Sequence, residues 1–492
     1  MHTTKTIPSQ TASQWIHWLA FLCVGATLFF APLVRGGNRQ IALAILLPLG
    51  LVALAGLMAT ISFRWLNAKG VQGENPLDRT LEARPTWWWW LVTGVAFSPV
   101  WIGVLQLAPL TSGLWSSLAG REPYLLALEA AGVRATTGLT LSLHPSATLA
   151  ALWSTIPVIA VFLSALFSSQ KTTEKLLALL MIAALMQVAL SLFQLVQGPK
   201  STAYFQSIYN QGVIGSFNNR NHLADFIAML LPVWFYFLVK PQSRRHQGQH
   251  RPFKVANSDA RIPLWLFFGF GLLVMVLITR SRGGLIASSI VLLLCIVLLL
   301  LDAGKSLNTK QKLAIILAFV IFGSLSLAAV ELDVLSKRLE STQLKTDAEI
   351  RNAYAMATLE AARTFWPWGS GLGSFEAVFP RFQPAQTPGY INHAHNDYAQ
   401  LLMEAGLGAV LAAAGVLFLV GQQINSLSRA MRLRRGKRMS AEVSMRCYAG
   451  LGVLALLLHS WVEFNMRIPA LAICGAFLLG TFLKPLPKAA HH

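Results

Sequence analysis

The chain is divided into a succession of apolar runs, each close to the ~20 residues an α-helix needs to cross a bilayer. They fall at roughly 15–33, 41–63, 87–107, 147–167, 174–195, 221–239, 262–279, 283–301, 313–331, 398–420, 447–463 and 467–484. Within a bilayer every backbone polar group must find its partner inside the protein, so runs of this length imply helices. The expected fold class is all-α: a polytopic integral membrane protein with about 12 transmembrane helices and both termini on one side. Composition agrees, with 54% hydrophobic and only 12% charged residues. The first run has no small-residue cleavage site and is followed at once by Arg35 and more spans, so it reads as a retained span. No internal repeat or low-complexity tract stands out.

Charge sets the expected orientation, because cytoplasmic loops retain Lys and Arg. With the N-terminus inside, about 25 of the 40 basic residues and about 7 of the 20 acids fall on the inner face. The densest inner clusters are Lys240 to Arg261, with Arg244, Arg245, Arg251 and Lys254, and Arg429 to Arg446, with Arg432, Arg434, Arg435, Lys437 and Arg438. A net charge of +20 carried in short loops between spans suits anionic membrane lipids and argues against nucleic acid as a partner. The cysteines Cys23, Cys295, Cys447 and Cys474 lie in or beside apolar runs, with neither metal-site spacing nor a disulfide framework.

The domain reading follows from the runs. Residues 1–331 form the N-terminal transmembrane helices, with a smaller outer segment at about 108–146 that includes Trp115, Arg121, Glu122, Arg134 and His144. Residues 332–397 form a large outer loop, and 398–492 the C-terminal helices. In the large loop Asp347 is placed to cap a helix whose apolar positions Ile350, Tyr354, Ala357, Ala361 and Phe365 recur at three- and four-residue intervals, the pattern of an amphipathic lid lying on the membrane. Pro367 and the glycines Gly369, Gly371 and Gly373 stop it, and Phe375 to Pro388 read as an irregular connection. The glycine group lacks the strand and following helix of a dinucleotide fingerprint. Trp87 to Trp90 read as an interfacial anchor.

Chemistry concentrates at the outer boundary. Asn392-His393-Ala394-His395-Asn396-Asp397-Tyr398 places two imidazoles, which exchange protons near neutrality, where the large loop meets an apolar helix. Asp397 is near enough in sequence to orient an imidazole, and Glu404 lies about 10 Å deeper on the same helix face, where a carboxylate needs a partner. Spacing alone leaves open whether that partner is an arginine or the histidine. Arg35, Arg39, Arg220, Arg280 and Arg282 occupy outer connections that the positive-inside bias does not explain. As a set they suit a diphosphate, whose oxygens a guanidinium can fork onto, and Gly283-Gly284 lets the backbone approach.

With these residues in view, the chain resembles the bacterial O-antigen ligase and polysaccharide polymerase superfamily of membrane glycosyltransferases. The resemblance rests on Gly215-Ser216-Phe217-Asn218-Asn219-Arg220-Asn221-His222, Ser281-Arg282-Gly283-Gly284, Gly371-Leu372-Gly373-Ser374-Phe375, and His395-Asn396-Asp397-Tyr398 with Leu401, Glu404 and Gly406. It also includes His459 to Asn465 and Ile468-Pro469-Ala470, covers about 210–475, and extends loosely to Phe30 through Gly37. It implies a GT-C-like enzyme of the inner (cytoplasmic) membrane, with cytoplasmic termini and a periplasmic active site. The donor it implies is an undecaprenyl-diphosphate-linked glycan, and the acceptor a hydroxyl of a glycan or of a lipid-A core. His395 would be the general base, and Arg282, Arg220, Arg280 and Arg35 would hold the diphosphate, supported by Asp397, Glu404, Asn396 and His393. The reaction would invert the anomeric carbon and use no metal and no cofactor, the first outer connection, Val34 to Gln40, having no carboxylate. The closing Glu463 to Ala470 segment resembles that of polymerases, with lipopolysaccharide ligase and protein O-oligosaccharyltransferase as relatives in chemistry. A transporter or flippase is the competing class.

Overall fold

The computed structural model describes residues 10–68, 84–133, 139–205, 212–240, 261–303, 308–340, 347–385, 387, 389–433 and 438–486. Arg134, Arg244, Arg245, Arg251, Lys254, Arg434, Arg435 and Lys437 lie outside them, as does the side chain of Asp347.

The protein is all-α apart from one pair of two-residue strands. Helices α1 (Gln10–Phe30) and α2 (Gln40–Ala68) pack as a hairpin. α3 (Thr86–Ala96) and α4 (Ser98–Gln106) form a pair bent by 55°, with Pro99 opening the second member. β1 (Pro109–Leu110) pairs antiparallel with β2 (Leu139–Thr140), enclosing α5 (Ser112–Ser116) and α6 (Glu122–Ala130). Then come α7 (Pro145–Phe167), α8 (Gln170–Gln197), α9 (Arg220–Val239), α10 (Arg261–Thr279), α11 (Arg282–Ala303), α12 (Thr309–Glu340) and α13 (Asp347–Thr364). The chain closes with α14 (Phe375–Val378), α15 (Asp397–Ala405), α16 (Leu407–Leu433), α17 (Ala441–His459) and α18 (Pro469–Leu483).

Among the described residues, nine helices are long and apolar enough to cross a membrane, or ten with the bent pair, and Pro263–Thr279 and Pro469–Leu483 are shorter apolar helices. Each coincides with an apolar run of the sequence. Two readings need correction. The run at 398–420 is not one helix, because Gly406 at φ +54° breaks it into α15 and the spanning α16. α12 continues to Glu340, into what read as loop.

α9 is the axis of the bundle. Its window is 83% buried, against 11–50% for the other candidate spans. From Phe226 onward its sequence is apolar on every face, as a helix enclosed by others must be. α9 packs against α17, α11 and α10, and α18 packs on α7 and α17. α17 approaches closely because a Cβ at Gly452 would stand 2.5 Å from the Met229 carbonyl oxygen. The tryptophan run divides: Trp90 is exposed, whereas Trp88 is fully buried and Trp89 stacks on Phe167.

The two long connections that the sequence reading placed outside form one unit. The Leu143 amide donates to the Ser370 carbonyl at 2.8 Å, and Gln106 joins Leu372 and Glu404 through its side chain. Arg121 is buried and donates to the carbonyls of Leu141 and Gly369, and burial pushes its guanidinium down to about 10. The apolar face of α13 is consumed inside this unit: Ala357, Ala361 and Phe365 are buried in a cluster with Phe375, Phe379 and Met403. α13 is therefore a packed wall rather than a lid lying on the membrane. The 375–388 connection also carries order, in α14 and a 3-10 turn at Phe379–Arg381.

Candidate active site

Several connections between helices meet at one end of the bundle. Two glutamines inside the apolar α8 fasten the segment before α9. Gln194 accepts from the amides of Ile214 and Gly215 at 3.0 and 2.9 Å, and Gln187 from that of Ser216 at 2.9 Å. The 3-10 turn at Arg35–Gly37 is seated on the same segment and on the start of α18: a Cβ at Gly36 would be 2.7 Å from Phe217, and one at Gly37 2.9 Å from Pro469. Segments far apart in sequence are thus fixed around the N-termini of α9 and α11.

A cavity of about 420 Å³ opens there, walled by Arg220, Asn221, Arg280, Arg282, Gly283, Ile286, Arg351, Asn352, Ala355, His395, Asn396, His459, Trp461 and Val462. Arg220 is the first residue of α9, where the Asn219 side chain accepts from the Asn221 amide at 2.9 Å. Arg282 is the first residue of α11, where the Ser281 hydroxyl accepts from the Gly284 amide at 3.2 Å. Two positive helix ends and four guanidiniums therefore border one space, an arrangement suited to an anion. Among the described residues, the non-glycines with positive φ are Arg35, Phe205, Arg280 and His395. Such backbone costs on the order of 1–2 kcal/mol per residue and tends to cluster at functional sites.

His395 is oriented by Glu463. Its Nδ1 lies 2.7 Å from Glu463 Oε1, the acid being fully buried and the imidazole 20% exposed. The other carboxylate oxygen accepts from Arg351 Nη1 at 2.9 Å and from the Asn221 side-chain amide. Burial opposes charge on Glu463, but the His395 hydrogen bond and the nearby Arg351 outweigh it and hold the carboxyl well below its ordinary range. An ionised Glu463 accepts a hydrogen bond from Nδ1–H, so in the neutral ring the lone pair is on Nε2. A base oriented by a carboxylate in this way can share the proton of a hydroxyl.

Asp397 does not serve the imidazole, contrary to what its place in the sequence suggested. It turns back to accept from the Met466 amide at 2.8 Å and lies 3.8 Å from Arg467 Nε. Burial pushes its carboxyl up to about 7, against the pull of Arg467 and Met466. Glu404 holds an arginine: its Oε2 accepts from Arg467 Nη1 at 2.7 Å and the Gly373 amide at 3.0 Å, and its Oε1 from Gln400 at 3.0 Å. Asn396 caps α15, accepting from the Ala399 amide at 3.0 Å, and also lines the cavity. His393 stacks on Phe464 with ring centroids 4.3 Å apart. Burial and then Arg467 push its imidazole down to about 4, so it is neutral at pH 7.

Of the residues singled out in the sequence, His395, Asn396, Arg220, Arg280 and Arg282 share the cavity wall. Arg35 is outside that wall and donates to the Phe205 carbonyl. Sequence reasoning assigned no role to Glu463, Arg467, Arg351 or Asn221. Glu463 and Arg467 carried a signal, as a charged pair at the facing ends of two apolar runs.

Residues 267–414 match the family described as O-Antigen ligase. That stretch is similar to an O-antigen ligase domain. This supports its place in the O-antigen ligase and polymerase superfamily and an enzyme of that general type, in a polytopic all-α membrane protein. The matched stretch includes Arg280, Arg282, Arg351, His395 and Glu404, while Arg220, Glu463 and Arg467 complete the site from outside it. No curated protein matches the chain.

Proposed function

We propose that the O-antigen ligase-type chain is an inverting membrane glycosyltransferase that moves glycan from undecaprenyl diphosphate to an acceptor hydroxyl at the periplasmic face of the bacterial inner membrane, through about 12 crossings with cytoplasmic termini. One observation carries the reading: an imidazole oriented by a buried carboxylate faces the same cavity as Arg220, Arg280 and Arg282. His395 Nε2 takes the acceptor proton as its oxygen attacks the anomeric carbon. The guanidiniums and the two helix N-termini stabilise the charge that builds on the departing diphosphate. Arg35 stands outside the cavity wall and takes no part in holding the donor in this reading. The polymerase reading is favoured over lipopolysaccharide ligase by the Glu463 to Ala470 segment, which resembles that of polymerases and supplies Glu463 and Arg467.

The test uses purified chain in lipid nanodiscs with a lipid-diphosphate-linked glycan and an acceptor glycan, with no ion gradient. Transfer of the glycan with release of lipid diphosphate is expected. Movement of intact donor across vesicles without bond cleavage would replace the enzyme by a transporter. In cells lacking the chain, loss of long polymers with single repeats still attached supports polymerisation, and loss of all attached glycan supports ligation.

A further inference from the structure

A second imidazole lines the cavity and has no task in the reaction above. His459, the last residue of α17, is 1% exposed, and its Nδ1 lies 3.3 Å from Oδ1 of the fully buried Asp225 on α9. Neither Asp225 oxygen has a hydrogen bond of good geometry among the described residues, which leaves His459 as its close polar partner. The opposite edge of the ring rests on Gly283, where a Cβ would come within 2.6 Å of Cδ2 and 2.7 Å of Nε2. Gly283 follows Arg282 at the head of α11, and all three residues line the cavity. Gly283, having no side chain, lets this ring nitrogen lie against the head of α11.

A carboxylate inside a helix bundle calls for a cationic or hydrogen-bonding partner. The groups around the pair come from every neighbouring element: Arg220 and His222 on α9, Arg280 and Arg282 at α11, Arg351 on α13, His395, and Glu463 in the following turn. Tyr398 and Cys474 border Asp225. The cavity wall that His459 shares carries the guanidiniums of Arg220, Arg280, Arg282 and Arg351. A diphosphate bound by them would leave the imidazole between its oxygens and the Asp225 carboxyl, an arrangement in which both ring nitrogens can donate.

We propose that His459, backed by Asp225, is a second proton-exchanging group of the site, taking up a proton when the diphosphate donor binds and passing it to the phosphate oxygen released in the reaction. The inference rests on the glycosyltransferase reading above. The acceptor oxygen loses its proton to His395 Nε2 and bonds to the anomeric carbon. The bond from that carbon to the phosphate oxygen breaks with its electron pair on the oxygen, which takes the proton from His459 Nε2. Both imidazoles then reset by exchange with water.

Calorimetric titration of the full chain with farnesyl-diphosphate-linked N-acetylglucosamine, near pH 7 in buffers of different ionisation heat, counts the protons taken up on binding. The phosphates of this diester do not titrate there, so the proton counted belongs to the protein. Uptake of about one proton is expected. His459→Gln and, as a second variant that preserves the shape of the pair, Asp225→Asn should each bind the probe with uptake near zero. Undiminished uptake in either variant, or uptake abolished by His395→Ala but kept in His459→Gln, overturns the proposal. Binding by the unmodified chain without proton uptake overturns it alone, whereas failure of that chain to bind the probe overturns the donor reading as well.

Discussion

His395 and Glu463 are 68 residues apart in the chain, yet Nδ1 of one lies 2.7 Å from Oε1 of the other. The pair joins the polar unit formed by the two long connections to the turn between α17 and α18, so the imidazole is held in place only when the whole bundle has assembled. Glu463→Gln keeps the shape of the acid but removes its charge. Turnover should fall about a hundredfold or more, with donor binding changed little, and His395→Ala should fall on the order of 10²–10⁴-fold. Because the two act as a unit, the double variant should be little worse than His395→Ala. Additive losses in a steady-state assay would separate the residues.

Arg282 and Arg35 test whether position at the cavity decides function. Arg282 heads α11 and lines the cavity, while Arg35 is committed to the Phe205 carbonyl. A lysine cannot reproduce a two-pronged guanidinium contact. Arg282→Lys should lower kcat/KM for the lipid donor by about tenfold or more, and Arg35→Lys by about threefold or less. Equal losses would bring Arg35 into the diphosphate contact.

The helices were legible in the sequence because a bilayer leaves the backbone one economical solution, and the apolar runs mark it. The break at Gly406 was not, since Leu401 to Leu411 is nearly all apolar and hydropathy does not register a positive φ. The arginines of the cavity stood out in the sequence because they occupy short connections that were read as outer, against the usual charge bias. The partner of His395 was not. Asp397, two residues away, was the natural choice, but Asn396 caps α15 and Asp397 turns toward Met466 and Arg467. A contact across 68 residues leaves no trace in local spacing.

Asp397 gives a pH signature in stability. Its carboxyl rises from an ordinary 3.8 to about 7 in the folded chain. Between those values the folded state keeps a proton that the unfolded chain has released, so Asp397's contribution is present in full below about pH 4 and is lost as pH rises to about 7. Asp397→Asn, which can still accept from the Met466 amide, should flatten that part of the profile. Melting temperatures from pH 4.5 to 8 check this, and a variant profile parallel to that of the parent would place the proton elsewhere.

The donor chemistry assigned to guanidiniums and helix ends predicts turnover in the presence of a chelator. Activity with excess EDTA should remain within about twofold of the untreated rate if, as proposed, Arg220, Arg280 and Arg282 on the cavity wall meet the charge on the departing diphosphate. Complete loss, restored by a divalent ion, would assign that charge to a metal instead.

Two glycines hold the outer unit on the membrane helices, and they make a structural prediction separate from catalysis. Gly369, at φ +78°, faces α15 so closely that a Cβ would stand 2.4 Å from the Glu404 carbonyl oxygen, and a Cβ at Gly406 would stand 2.2 Å from that of Pro367. In both cases the obstacle is backbone, which cannot swing aside as a side chain can. The same junction carries the Gly371 amide to the Glu404 carbonyl at 3.0 Å and the Leu407 amide to Pro367 at 2.8 Å. Gly369→Ala should therefore cost about 2 kcal/mol or more through strain and loss of these bonds. Because Glu404 also holds Arg467, the damage should spread to the turn bearing Glu463, and turnover should fall together with melting temperature. Gly389 lies in the same unit with open space around it, though also at positive φ, so Gly389→Ala carries the backbone cost without the collision. A difference in melting temperature between the two alanine variants isolates the close approach, and equal destabilisation would remove it as the reason for glycine at 369.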